Sequence, residues 1–447
     1  MGHLLIRIFK PILSYYVLHK RIIDRIFLFL LLTGYTVSVY LRGTDFPVVY
    51  EAGNRMFHFE RITYFEAHAF SYPPFFAFIS IPLALLPYQL AKMIYFFLSI
   101  GALVVSVKWL KIILDKSSGF KIPDSSQMSK LFTGIYLLLT ARFIINNFEH
   151  LQSDMFVLLS MTGGLYFFIK GKNVHSAFML AFGAAIKVTP FLMLVYFLWK
   201  REWKIFIIGL IFTLSLNILP DIFFGSKRDN SYLSEWTPLI SGRLNPQDSS
   251  IETDKVWGLT SRMNQSLSTT LQRYFTNSPV IIYSDHKVYV NMLSLDPKSV
   301  KLIALFIVLF MGAGFAWVTR KRIYSRSDDR YLLEYALALI LILLASPVSS
   351  KPHFSTLLLS HALIIASLYH GLLNRTYLNS LLFAFALSTI MVDGIVGKEI
   401  GRYLEALGNV TFHAITAGSL VLIILLNLEP KITGNNSRKL SPYPSDE

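Results

Sequence analysis

The sequence predicts an all-α, multi-pass membrane protein. Three observations carry that reading: 53% of the 447 residues are hydrophobic, only 15% are charged, and the apolar residues gather in long runs. Soluble domains carry about 25% charged residues, and a helix needs roughly 20 apolar residues to cross the hydrocarbon layer. Lys and Arg number 42 against 27 Asp and Glu, a formal charge of +15. Such hydrophobicity excludes a disordered chain. A nucleic-acid partner is not expected, because a soluble nucleic-acid binder spreads its charge over a polar surface. With no cysteine, disulfide scaffolds, thiolate metal sites and cysteine nucleophiles are excluded.

Apolar runs fall at 22–41, 88–113, 131–148, 153–169, 174–199, 203–224, 299–319, 331–348, 353–369, 377–394 and 408–428. Residues 1–21, with Arg7, Lys10, Lys20 and Arg21 among apolar neighbours, read as a basic helix on the inner membrane surface. The run 22–41 reads as an uncleaved first span, since no small-residue cleavage site follows it. Two segments decide the topology. Lys187 and Pro190 interrupt 174–199, which predicts a hairpin tipped at 187–190, with 73–86 lying in the outer interface. The alternative makes 73–86 a span and 174–199 a single helix. Both versions give about twelve crossings with both termini inside. The hairpin version places far more Lys and Arg in the inner loops, and the positive-inside rule selects it. Most of the excess basic charge is then an orientation signal.

One membrane domain, 1–429, follows, with outer loops 43–71 and 225–298 and a polar tail, 430–447, expected to be disordered. Tyr232, Trp236, Trp257 and Tyr274 give the long loop aromatic surface to lay on the membrane. No period of 20–50 residues indicates a solenoid. No repeated pair of hydropathy halves indicates a secondary transporter.

In this topology the unusual polar residues gather at the outer face: Asp45, Tyr72, Gln152, Asp154, Lys187, Asn264, Gln265 and His353. Sequence-distant polar groups meeting at one face suggest a site. Asp45 offers a general base for a hydroxyl, although Thr44-Asp45 before Pro47 is also how a helix begins. Lys187, in an apolar setting, offers a point charge for a phosphate, or snorkels to the interface. His353 offers a phosphate donor or a helix cap. Arg142, near the outer end of its span, is expected to pair with Glu149 or Asp154. Asp328-Asp329, between Arg326 and Arg330, is expected to form local salt bridges on the inner side. Phosphate-binding loops, dinucleotide fingerprints, zinc-protease and nucleophile-elbow motifs are absent, so no metal, no cofactor and no direct use of nucleotide is expected.

Six segments in order resemble glycosyltransferase family 87, the polyprenyl-phosphate-mannose-dependent mannosyltransferases of the GT-C membrane fold. They are GTDFPVVYEAGNRMF (43–57), SYPPFFAFISIPLALLP (71–87), HLQSDMFVLL (150–159), AAIKVTPFLMLVYFLWKREWK (184–204), NQSLSTTLQRYF (264–275) and ASPVSSKPHF (345–354). The family's Gly-Gln-x-Asn segment reads Leu151-Gln152-Ser153-Asp154 here. The resemblance implies an inverting enzyme with about twelve spans and an outer-facing site in the cell (inner) membrane. Its donor would be a polyprenyl-phosphate sugar, its acceptor a glycolipid or glycan. It implies Asp45 as the catalytic base. The donor phosphate would be held by Lys187 and His353, helped by Arg273, while Tyr72, Gln152, Asp154, Asn264 and Gln265 orient sugar or acceptor. Arabinofuranose or glucose are alternative sugars. A lipid-linked glycan flippase is the alternative of another class, and would carry charged residues through the middle of its spans.

Overall fold

The computed structural model describes residues 43–65, 68–123, 125–244, 260–283 and 285–436, with Thr33, Gly34, Thr36 and Tyr40. The basic helix expected at 1–21, nearly all of the span at 22–41, Trp257 and the tail from residue 437 lie outside them. Helix α1 (Phe46–Phe57) leads through a two-residue antiparallel ladder, Tyr64–Phe65 with His68–Ala69, to α2 (Pro74–Ala84). There follow α3 (Tyr88–Lys116), α4 (Ser126–His150), α5 (Asp154–Ile169), α6 (Asn173–Ile186), α7 (Phe191–Trp199) and α8 (Trp203–Phe224). The long loop holds α9 (Tyr232–Leu244) and α10 (Leu267–Phe275). Then come α11 (Pro297–Val318), α12 (Arg330–Ala345), a 3-10 turn (Lys351–Thr356) running into α13 (Leu357–Tyr369), and α14 (Arg375–Phe385). The chain closes with α15 (Asp393–Val396), α16 (Lys398–Ala406) and α17 (Asn409–Asn436). Among the described residues six helices are long and apolar enough to cross a membrane, within 88–116, 126–150, 203–227, 297–318, 351–369 and 409–428. The molecule is a helical membrane protein.

Polar clamps define one end of the bundle. Arg326 donates to Asn173 Oδ1 and to Glu202 Oε2, each at 2.6 Å. The start of α6 and the finish of α7 therefore lie at the same end. Residues 173–199 form a helical hairpin, and its tip, Lys187 to Pro190, lies at the opposite end. Lys200 pairs with Glu334 at 2.9 Å and donates to the carbonyls of Thr319 and Lys321. Asp329 accepts from Ser117 Oγ, Ser118 Oγ and Gly119 N at 2.5–2.8 Å. The local pairing expected around Asp328-Asp329 is replaced at Arg326 and Asp329, while Asp328 still accepts from the Arg330 backbone N–H. Arg326 reaches Glu202, and Asp329 gathers hydroxyl and backbone donors that would otherwise be orphaned after α3.

Small residues let the hairpin pack closely. A Cβ at Gly183 would strike the Ser160 side chain of α5, and one at Gly209 would strike the Leu194 side chain of α7, so glycine lets α6 pack closely on α5 and α8 on α7. Helix α2, 11 residues and about 16 Å long, is too short to cross. Both its flanks lie near the hairpin-tip end: the Tyr72 ring faces Lys187, and the carbonyl of Leu86 accepts from Tyr50 on α1.

Three expectations are corrected. The run 377–394 is not one helix; α14 passes into a π turn at Ala386–Ile390 and breaks before α15. Helix α17 continues to Asn436, past the expected start of the tail. The described aromatics of the long loop dock on protein. Trp236 Nε1 donates to the Ser71 carbonyl, and Tyr232 and Tyr274 hydroxyls donate to those of Met56 and Leu407.

Candidate active site

The site is built where three chain reversals meet at the hairpin-tip end. Gly43 takes φ +81°, and a Cβ there would sit 2.6 Å from Lys92 Cε, so both conformation and space ask for glycine. Two residues on, the Asp45 backbone N–H donates to the carbonyl of His150 at 3.0 Å. Asp45 occupies the N-cap of α1 with Pro47 just inside, yet its side chain makes no cap hydrogen bond. Instead its Oδ2 accepts from Gln152 Nε2, while Thr44 Oγ1 lies 3.4 Å from Oδ1. The capping reading holds for the backbone position and not for the side chain. The position starts a helix, and the carboxylate is free for another task.

Gln152 is fixed from every side. Helix α4 ends at Leu151 in the left-handed conformation (φ 55°, ψ 49°). The Gln152 N–H then donates to Asn147 O, and Asn147 Nδ2 donates to Gln152 O. Gln152 Oε1 accepts from Ser350 Oγ at 3.4 Å. Ser350 and His353 form a reciprocal cap on the 3-10 turn. Ser350 N–H donates to His353 Nδ1 at 3.2 Å, and Ser350 Oγ lies 2.8 Å from the same nitrogen. An Nδ1 that accepts leaves Nε2 carrying the proton of the neutral ring. His353 is thus both a helix cap and a donor.

Asp154, first residue of α5 and 2% exposed, accepts from Lys187 Nζ at 2.9 and 3.1 Å. Lys187 caps α6 in extended conformation, because Pro190 cannot continue that helix. Its ammonium lies 6.0 Å from the Tyr72 ring centroid, and His353 is in electrostatic reach of both Lys187 and Asp154. The structure therefore brings together Asp45, Tyr72, Gln152, Asp154, Lys187 and His353. The cation expected to snorkel or to meet phosphate alone is held by a buried carboxylate.

Asn264, Gln265 and Arg273 do something else. Asn264 Nδ2 donates to Thr269 Oγ1 and Pro347 O, and its Oδ1 accepts from Ser266 N and Ser349 N. Gln265 Nε2 donates to Arg262 O and Glu405 O. Arg273, fully buried, donates to the carbonyls of Ala406, Ser261 and Asn264 and to Thr270 Oγ1. Burial pushes its guanidinium down to about 10, so it stays charged at neutral pH. These side chains are engaged by backbone. They lock α10 and the strap at 345–350 against α16, and Asn264 has no hydrogen-bonding capacity left for a sugar.

A second charged group lies across the strap. Glu405 of α16 receives Arg142 at 2.8 Å, Arg262 and Lys351. Arg142 also donates to the Ser388 carbonyl inside the π turn. The expected pairing of Arg142 with Glu149 or Asp154 is thus replaced by Glu405. Burial pushes the Glu405 carboxyl up, but Lys351, Arg142 and Arg262 reverse this and hold it below the usual carboxylate range. Nothing in the sequence near Glu405 signals that role, because its partners come from three distant segments. Among the described residues no group of three or more His, Asp or Glu is placed to hold a metal ion.

The profile of glycosyltransferase family 87 matches residues 70–347, well over half of the chain. The chain belongs to glycosyltransferase family 87. As a family 87 member it is a glycosyltransferase, an enzyme of glycosyl transfer built on membrane helices. No curated protein and no solved structure matches it significantly. Tyr72, Gln152, Asp154 and Lys187 lie within the matched family 87 region, whereas Asp45 and His353 lie just outside its two ends.

Proposed function

We propose that this family 87 enzyme is an inverting transferase with Asp45 as its base. It moves a sugar, mannose first among the candidates, from a polyprenyl-phosphate donor to a glycolipid or glycan acceptor. We place the hairpin-tip end at the outer face of the cell membrane, in a GT-C arrangement of about twelve spans. The observation that carries this reading is the Asp45 carboxylate. It is released from its own helix cap and held by Gln152, whose Oε1 meets Ser350 of the turn that carries His353 and which stands two residues before the Asp154 that pairs with Lys187.

In the reaction Asp45 takes the proton of an acceptor hydroxyl. The oxygen forms its bond to the anomeric carbon from the face opposite the phosphate, and the carbon–oxygen bond to phosphate breaks with its electron pair leaving on the phosphate. The products are the inverted glycoside and polyprenyl phosphate, and Asp45 returns its proton to solvent. Charge develops on the departing phosphate, where His353 and Lys187 donate. The pairing of Lys187 with Asp154 supports this role, since it fixes the ammonium before substrate arrives. Tyr72, beside Lys187, bounds the sugar.

Asp45→Asn tests the reading, in membranes supplied with polyprenyl-phosphate mannose. Transfer is expected to fall by at least about a thousandfold for loss of a general base and its charge, with the protein inserted at wild-type level. Transfer near the wild-type rate would remove Asp45 as the base. A panel of polyprenyl-phosphate mannose, glucose and arabinofuranose identifies the sugar in the same assay.

A further inference from the structure

Three positive side chains, Arg142, Arg262 and Lys351, surround the carboxylate of Glu405; with Asp393, in electrostatic reach of Arg142, and its own partner Arg402 counted in, the surplus is two positive charges. The group is largely withdrawn from water: side-chain exposure is 9% for Arg142, 11% for Lys351, 3% for Glu405 and 24% for Arg262. Like charges confined in a medium of low dielectric repel strongly, and a partly compensated cluster is unfavourable unless an anion visits it. In contrast, Asp45, Asp154, Lys187 and a neutral His353 sum to one negative charge on the other side of the strap. The cationic surplus of this end is therefore not where the base is.

We infer that Arg142, Arg262 and Lys351 form an anion site, separate from the Asp45 carboxylate, that binds the phosphate group of a lipid substrate, with Glu405 holding the three cations in register. Three features fit a phosphate. Arg262 points a planar guanidinium whose Nε and Nη2 meet no acceptor among the described residues, the fork suited to two phosphate oxygens. Lys351 adds a point charge from the first residue of the 3-10 turn that carries His353 two residues later. Arg142 is anchored by the Ser388 carbonyl and so cannot swing away. The shared turn makes the two centres parts of one apparatus: occupancy at Lys351 is felt through Ser350 at both His353 and Gln152. Arg262 comes from the long loop and Lys351 from the 3-10 turn after the strap, so an anion between them adds to the hydrogen bonds that already join loop and strap there.

The inference rests on the lipid-phosphate chemistry proposed above, and it leaves two sources for the phosphate: an anionic lipid acceptor, or the donor, whose phosphate would then rest here and not on Lys187 and His353. The test uses the full-length protein in phosphatidylcholine nanodiscs, with lipid adducts read by native mass spectrometry. One arm titrates polyprenyl phosphate against uncharged polyprenol; the other titrates phosphatidylglycerol as an anionic phospholipid. Arg262→Gln and Lys351→Gln are each expected to weaken phosphate binding about tenfold, with partial recovery in Arg262→Lys. Arg262 is the most exposed of the cations, and an unchanged melting temperature verifies that the variant folds. Weakening confined to polyprenyl phosphate assigns the donor, and weakening confined to phosphatidylglycerol assigns the acceptor. Wild-type binding of both lipids by both folded variants overturns the inference. Asp45→Asn separates the two claims: it is expected to bind polyprenyl phosphate as wild type does, whatever happens to its transfer activity.

Discussion

At the scale of single residues, the site depends on side chains whose partners hold them before substrate arrives. Gln152 is the clearest case. It donates to Asp45 while its own backbone is clamped by Asn147 and its carbonyl oxygen is met by Ser350. Gln152→Ala leaves Asp45 unaimed but charged. Transfer is expected to fall about tenfold to a hundredfold in kcat, the value of one hydrogen bond to a charged group, with donor KM nearly unchanged; an equal rise in KM would show that Gln152 binds substrate instead. Leu151 shows how a family departure is accommodated. The position takes the left-handed conformation that glycine adopts freely, yet the side chain is fully buried and would touch a Cβ at Gly43. Burial of an apolar side chain there offsets backbone strain of order 1 kcal/mol. The Asp45, Gln152 and Lys187 positions were legible in the sequence because each sits in a polar break between apolar runs. Ser350 was not, since a serine between Ser349 and Lys351 carries no chemical signal until its hydroxyl is seen between Gln152 and His353.

At the scale of elements, the α6–α7 hairpin and the strap at 345–356 decide which charges meet. Lys187 fixes Asp154 and is proposed to face substrate, and the two uses can be separated. Lys187→Ala leaves a buried carboxylate unpaired and is expected to destabilise the protein by about 3–5 kcal/mol, read as a large fall in melting temperature. The double variant Lys187→Ala/Asp154→Ala is expected to recover most of that stability while transfer stays low. If stability does not recover, the pair is not what holds the hairpin tip; if transfer recovers with it, Lys187 has no part in the chemistry. A second intramembrane chain links α4, α13, the π turn and α17. Thr140 lies 2.8 Å from His361 Nδ1, the two histidine Nε2 atoms are 2.8 Å apart, and His413 Nδ1 is 2.5 Å from Ser388 Oγ. One neutral arrangement satisfies every member: Ser388 donates to His413, His413 to His361, and His361 to Thr140. The π turn therefore has a physical cause, since it brings Ser388 to His413 while its carbonyl meets Arg142.

At the scale of the whole molecule, the two ends have different work. The far end is a lattice of clamps, with Arg326 on Asn173 and Glu202, Lys200 on Glu334, and Asp329 on residues 117–119. The hairpin-tip end carries the candidate chemistry. Asp329→Ala is accordingly expected to lower the melting temperature while KM for donor and acceptor stays at the wild-type value; a changed KM would show that the far end is coupled to the site. Composition and apolar runs by themselves determined that this is a helical membrane protein. Basic residues in the loops and the break at Lys187 and Pro190 determined the hairpin, because hydropathy and proline chemistry act locally along the chain. Tertiary structure alone decided the partners: Asp154 for Lys187, backbone carbonyls for Asn264, Gln265 and Arg273, and Glu405 for Arg142. An ion pair or buried hydrogen bond can join residues far apart in the chain, 33 positions for Asp154 and Lys187 and 263 for Arg142 and Glu405. Its existence depends on which helix faces meet, and no local pattern in the sequence records that.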